Sequence, residues 1–171
     1  VLETAQYGKG NDIIMLKSDQ KYTSYIEVLK SELVPAAGCT EPIAIAFAAA
    51  KAHSVLGKLP EKVVIYVSGN IIKNVKSVVV PNTGGLRGIE AAAAAGIAAG
   101  DASKVLEVIA DVDENGKQRI LDFLKLHNII VRPADNDLVF DIDLTVFAGS
   151  DSVRIRIIDY HTNIVLIEKN G

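Results

Sequence analysis

A single thiol, Cys39, stands in the stretch Gly38-Cys39-Thr40-Glu41-Pro42, directly before an alanine-rich run. A cysteine beside a helix start faces backbone N–H groups and the positive end of the helix dipole, which favour a thiolate as nucleophile or metal ligand. The plainer role is a small buried apolar filler. Zinc and iron–sulfur sites take several protein ligands, so one cysteine cannot build such a site from this chain, and any cluster needs ligands from elsewhere.

Three polar stretches accompany it. Pro81-Asn82-Thr83-Gly84-Gly85 leads into a second small-residue helix, and its backbone donors suit a carboxylate or phosphate. The loop lacks the Gly-Lys-Ser/Thr ending of a P-loop and the glycine spacing of dinucleotide folds, and an ordinary glycine-rich turn is the alternative. The run Ser68-Gly69-Asn70-Ile71-Ile72-Lys73-Asn74 supplies Ser68, Asn70, Lys73 and Asn74, either as site groups or as a solvated face. His161-Thr162-Asn163 stands directly before an apolar strand. There His161 serves as an acid, a base or a substrate donor at the sheet end, or simply occupies a turn. His53 and His127 fall within helices, and no Ser-His-Asp order suggests a triad.

These residues need a scaffold, and composition limits it. With 171 residues, 49% of them hydrophobic and no Trp, the chain can build an aliphatic core. A net charge of −3 with interspersed signs leaves no basic footprint, so nucleic acid is not an expected partner. No apolar run reaches the roughly 18 to 20 residues that cross a bilayer, and the first residues lack the order of a signal peptide, so no membrane partner is expected. One cysteine suits a reducing compartment, and a cytoplasmic location is expected.

Residues 1–21 show no sustained period and read as a tail or an expression remnant. Tyr22, Ile26, Leu29 and Leu33 have helical spacing, and Val34-Pro35 ends that helix. Thr40 as N-cap, Glu41 in the first turn and Pro42 announce a helix that runs to Gly57. So many alanines imply close packing on more than one side. The β-branched runs 62–70 and 71–80 predict two strands meeting in a hairpin or bend at Gly69-Asn70. A helix follows to Gly100, residues 105–112 predict a strand, and Ile120, Phe123, Leu124 and His127 predict another helix. Four short apolar runs then follow: one strand from Ile129, and three between 138 and 171 that alternate as an antiparallel meander. The fold class is α+β: N-terminal helices, then a mixed, mainly antiparallel sheet with two or more packed helices. The boundary falls near Leu59-Pro60, giving segments 22–59 and 60–171.

The stretches 38–46, 67–85, 95–101, 106–112 and 161–171, taken in order, resemble the L-cysteine desulfidases and iron–sulfur L-serine dehydratase alpha-chain-like proteins, the UPF0597 group. The resemblance implies an enzyme that eliminates the β-substituent of a small L-amino acid with a 4Fe–4S cluster. L-cysteine would give pyruvate, ammonia and sulfide, and L-serine pyruvate and ammonia. It implies Cys39 as one cluster ligand, Thr40 and Glu41 beside the cluster, and Glu41 as a proton-transfer group. Residues 62–171 resemble the substrate-binding β domain of the bacterial serine dehydratases. Ser68, Asn70, Lys73, Asn74, Asn82, Thr83, Gly84, His161, Thr162 and Asn163 would line one face there, with Lys73 and backbone N–H groups on the substrate carboxylate. Asn82 stands where glycine is expected. The family resembled has members about twice as long or more, with further cysteines in a helical second half. The chain is therefore expected to be an N-terminal portion that holds no complete cluster and is inactive alone. Its expected partners are that helical domain, the amino-acid substrate and a second copy of itself. The alternative is a non-catalytic amino-acid-binding regulatory module that acts with a separate catalytic chain.

Overall fold

A computed structural model of the chain describes residues 16–33, 35–36 and 38–171. It comprises two compact units, Val1–Val34 and Pro35–Gly171. In the first, helix α1 spans Gln20–Glu32, preceded by Asp19, whose carboxylate accepts from the Leu16 N–H at 3.0 Å. The expected amphipathic helix is present. Of the tail expected over residues 1–21, residues 1–15 lie outside the described residues, and α1 begins inside it, at Gln20.

The second unit is built around helix α2, Thr40–Leu56. Every residue from Pro42 to Ala50 is buried, which requires neighbours on all sides. Small side chains make this geometrically feasible. Helix α4, Gly88–Ala99, approaches so closely that a Cβ on Gly96 would lie 2.1 Å from the Ala46 carbonyl oxygen. Helix α2 ends at Gly57, whose φ of 76° is the left-handed stop that glycine supplies cheaply. Its N-cap is Cys39, one residue before the expected Thr40.

The sheet has five strands: β1 Lys62–Val67, β2 Asn128–Pro133, β3 Asp141–Ala148, β4 Asp151–Ile158 and β5 Ile164–Lys169. Their spatial order is β2-β1-β3-β4-β5. β1 and β2 run parallel, which demands a long crossover, and the chain between them supplies helices α3 (Gly69–Val75), α4 and α5 (Glu114–Leu126). β3, β4 and β5 form the expected antiparallel meander. Strict alternation sends Val63, Ile65, Val67, Ile142, Leu144, Val146, Val153, Ile155 and Ile157 inward, all fully buried. α2 packs on β3 and β4. On the outer face Arg154 pairs with Asp143, and Arg156 grips the buried Asp141 through both of its oxygens at 3.0 Å. The architecture is α+β, as expected.

Two local expectations are corrected. Residues 71–80 do not form a strand that hairpins with β1. Instead Gly69–Val75 is helix α3. Ile71 and Val75 are buried and Lys73 and Lys76 exposed, a burial period of about four that the β-branched composition conceals. Only the end of the run is extended, through an isolated bridge from Val79 to Arg87. Residues 105–112 likewise form no strand. Ala102–Glu107 makes 3-10 turns broken at Val105, and further turns follow. The buried residues here are Leu106, Val108 and Ile109, a spacing that no strand face can provide. Asp101 opens the turn by accepting from the Ser103 N–H at 2.9 Å. The last expected helix is present as α5, Glu114–Leu126, with the Asp113 side chain capping it through the Gly116 N–H at 2.7 Å.

Candidate functional site at the start of helix α2

The Glu41 carboxylate is the meeting point of three segments. The Cys39 thiol donates to its Oε2 at 3.3 Å, and the Thr40 hydroxyl reaches the same oxygen at 3.5 Å. From α3, the Asn74 amide donates to Oε1 at 3.3 Å. From the turn between β4 and β5, the His161 imidazole is close enough to interact with the Glu41 charge. The α2 start thus carries its own acid, and the fold brings an amide and an imidazole to it.

Electrostatics follow from these contacts. Cys39 is exposed, yet the loss of part of its water shell raises the thiol pKa above its ordinary value, and the hydrogen bond to Glu41 and its negative charge raise it further. The neighbouring backbone N–H groups of Glu41 and Thr40 oppose this without overcoming it. The helix-start argument for a thiolate therefore loses, in this arrangement, to partial desolvation and the adjacent carboxylate. Burial pushes Glu41 upward, but its own backbone N–H, the Cys39 thiol, the Asn74 amide and His161 outweigh it and hold the carboxyl below its usual range. Burial lowers His161, against a smaller upward pull from Glu41.

His161 leans edge-on against Phe140, with ring centroids 4.6 Å apart. Its Nε2 is buried and has no hydrogen-bond partner among the described residues. Phe140 was not singled out from sequence, because a lone aromatic before a strand carries no signal of its own. The fold fixes it firmly: its carbonyl accepts from the Asp159 N–H at 3.1 Å, and the next residue, Asp141, is held by Arg156, by Asn136 and, through its carbonyl, by the Ser68 N–H.

The other expected site residues divide into two groups. Pro81 abuts the Cys39 loop, since a Cβ on Gly38 would lie 2.6 Å from the Pro81 ring. In the same loop Asn82 takes a positive φ of 59°, which asparagine tolerates where glycine was expected. The Asn82 amide donates to the Ile109 and Ala110 carbonyls, and the buried Thr83 hydroxyl donates to the Val80 carbonyl at 2.7 Å. These side chains shape the loop. The Ser68 hydroxyl is likewise taken, by the Val139 carbonyl at 2.9 Å, and the Asn163 amide by the Ile158 carbonyl at 3.1 Å. Asn70, Lys73, Gly84 and Thr162 are exposed, and no hydrogen bond joins them to Glu41 or His161 among the described residues. Cys39 is exposed, so the buried-filler role does not apply.

Among the described residues no group of three or more His, Cys, Asp or Glu side chains could hold a metal ion. No helix of the described residues is long and apolar enough to cross a membrane. A groove of about 210 Å³ lined by Leu59, Phe123, Leu126 and His127 includes none of the Glu41 cluster.

No family model matches the chain, and no solved structure matches it significantly. Curated proteins do. A UPF0597 protein of Desulfitobacterium hafniense is 58% identical over 159 residues, which is 93% of this chain and 37% of that protein. UPF0597 proteins of Finegoldia magna and Treponema denticola are 49% and 45% identical over 86% and 88% of the chain, and 36% and 35% of their own length. The chain spans little more than a third of the length of the curated relatives it matches. Over that matched portion, the chain belongs to the UPF0597 family.

Proposed function

We propose that the chain is the N-terminal portion of a cytoplasmic iron–sulfur-dependent lyase that eliminates the β-substituent of a small L-amino acid, L-cysteine or L-serine. The observation that carries this reading is the pair of hydrogen bonds that Cys39 and Asn74, from two separate stretches of the family-like pattern, make to Glu41, with His161 from a third stretch within reach of its charge. The share of its relatives' length that the chain spans is consistent with a larger catalytic protein.

The donor set fits one ligand position of a shared 4Fe–4S cluster. Cys39 is an exposed thiol at a helix start, and the chain has no second cysteine. The remaining ligands come from a helical domain beyond this chain. When bound, such a cluster supplies a Lewis acid for the leaving thiol or hydroxyl. The chain's own residues do the rest. Glu41 holds or moves a proton beside Cys39. The buried Nε2 of His161 is the unpaired polar atom that a substrate group would satisfy. Exposed Lys73 and the backbone of the Gly84 loop offer positive charge and N–H donors to a carboxylate.

The test is anaerobic reconstitution of the complete polypeptide with iron and sulfide, following pyruvate release from L-cysteine and L-serine separately. Iron-dependent pyruvate that disappears in Cys39→Ala supports the lyase and names its substrate. No pyruvate from either amino acid, with the fold intact and iron bound, refutes it and favours the regulatory module.

A further inference from the structure

Asn74 bonds Glu41, His161 lies within reach of its charge, and both are seated from one short segment, residues 139–141. His161 leans on the Phe140 ring. Asn74 belongs to α3, whose N-cap is Ser68. The Ser68 hydroxyl donates to the Val139 carbonyl at 2.9 Å and its N–H to the Asp141 carbonyl at 3.0 Å. Burial of Ile71 and Val75 holds the body of α3, whereas these Ser68 bonds fix where it starts. The Phe140 carbonyl accepts from the Asp159 N–H at 3.1 Å, at the opening of the turn that carries His161.

What anchors this segment is a carboxylate. Asp141 is 1% exposed, and a carboxylate so far from water needs its oxygens satisfied and its charge balanced. Arg156 of β4 does both, its two nitrogens each donating at 3.0 Å, and the Asn136 amide adds a third donor at 2.7 Å. A forked pair fixes direction as well as distance. Asn136 in turn accepts from the Leu138 N–H at 3.0 Å, which folds the loop before β3 onto the carboxylate. A pair of the same type, Arg154 with Asp143, lies further along β3 and β4 from this segment.

We propose that the Asp141–Arg156 pair is a positioning device for the Glu41 cluster. By fixing residues 139–141 it sets the seat of His161 through Phe140, and the start of α3, hence the reach of Asn74, through Ser68. Asp141 and Arg156 act through these neighbours, and among the described residues no hydrogen bond joins either of them to Glu41. A misplacement of about 1 Å can cost about a hundredfold in rate, so a site whose partners come from separate elements gains from a common anchor. The proposal rests on the Glu41 cluster being the site. Its test involves no turnover, so it can fail while the lyase reading stands, and the reverse.

NMR spectroscopy of the 171-residue chain tests it, reading the Overhauser contact between the Phe140 and His161 rings and the chemical shift of the Asn74 side-chain amide. Arg156→Gln opens the fork, and Asp141→Asn removes the charge that the fork holds. Each should abolish the ring contact and move the Asn74 amide to the position of a solvated amide, with an unchanged circular dichroism spectrum. Asp141→Asn decides if Arg156→Gln fails to fold, because it leaves no bare carboxylate in the interior. Arg154→Gln breaks the neighbouring pair on the same face of the sheet and should leave both signals unmoved, which a merely structural role for these pairs does not predict. A parent chain without the ring contact, either signal unmoved in folded Asp141→Asn, or signals moved as far by Arg154→Gln overturns the proposal.

Discussion

A methyl group at position 96 would lie 2.1 Å from the Ala46 carbonyl oxygen, 2.8 Å from its carbon and 2.9 Å from its Cα. All three atoms are backbone, so no side chain can swing aside, and α2 and α4 must move apart. Overpacking of this kind costs about 1–3 kcal/mol, with the upper end expected where backbone is struck. Alanine recovers about 1 kcal/mol over glycine from its helix propensity. Gly96→Ala should therefore destabilise the chain by about 2 kcal/mol, which at a urea m-value of about 2 kcal/mol/M lowers the midpoint by roughly 1 M. Gly69→Ala is the control: nothing lies within 4 Å of its would-be Cβ, its φ is not left-handed, and it opens α3. It should be neutral or gain about 0.5 kcal/mol. Equilibrium urea unfolding of the two variants and the parent reads both numbers. If Gly96→Ala is as stable as Gly69→Ala, the close approach of the two alanine-rich helices is wrong.

The Glu41 cluster yields two further expectations. Glu41→Gln removes the charge and changes the hydrogen-bond partner that raise the Cys39 thiol, so the pH midpoint of its alkylation by iodoacetamide should fall; an unmoved midpoint would remove Glu41 from that role. His161 has a folded-state pKa below the ordinary histidine value of about 6.5, so the stability tied to its neutral form is present above that pH and is lost as pH falls through it towards the lower folded value. His161→Gln should accordingly lose less stability than the parent between about pH 7.5 and pH 5, measured by urea unfolding at each pH, and equal losses would contradict its burial.

Much of the architecture was legible because local and global preferences agree. The alternation of β3 and β4, the helical spacing in α1 and α5, the glycine stop at Gly57 and the turn asparagine at Asn82 all reappear in the structure. Where they disagreed, the reading failed. Ile71, Ile72 and Val75 are β-branched, yet their burial follows a helix, because α3 packs against α2 and α4 while the chain starts its crossover to the parallel β2. Cys39 and Glu41 were visible as a motif. The partners of Glu41 were not, since Asn74 lies 33 residues away and had been placed on a strand. Phe140 and the Asp141–Arg156 clamp behind it left no pattern at all.

Composition and spacing by themselves determine that this chain forms an aliphatic α+β unit with small-residue helices packed on several sides and a meander at its end. They also place the lone thiol next to an acid at a helix start, since both are set by neighbouring residues. Tertiary structure alone decided which way each short apolar run folds, that β1 pairs with both β2 and β3, and that Asn74 bonds Glu41 with His161 within reach of its charge. The physical reason is the same in each case. A run of seven or so β-branched residues fits either a helix or a strand, and the free energy that chooses between them comes from the surface it finally covers.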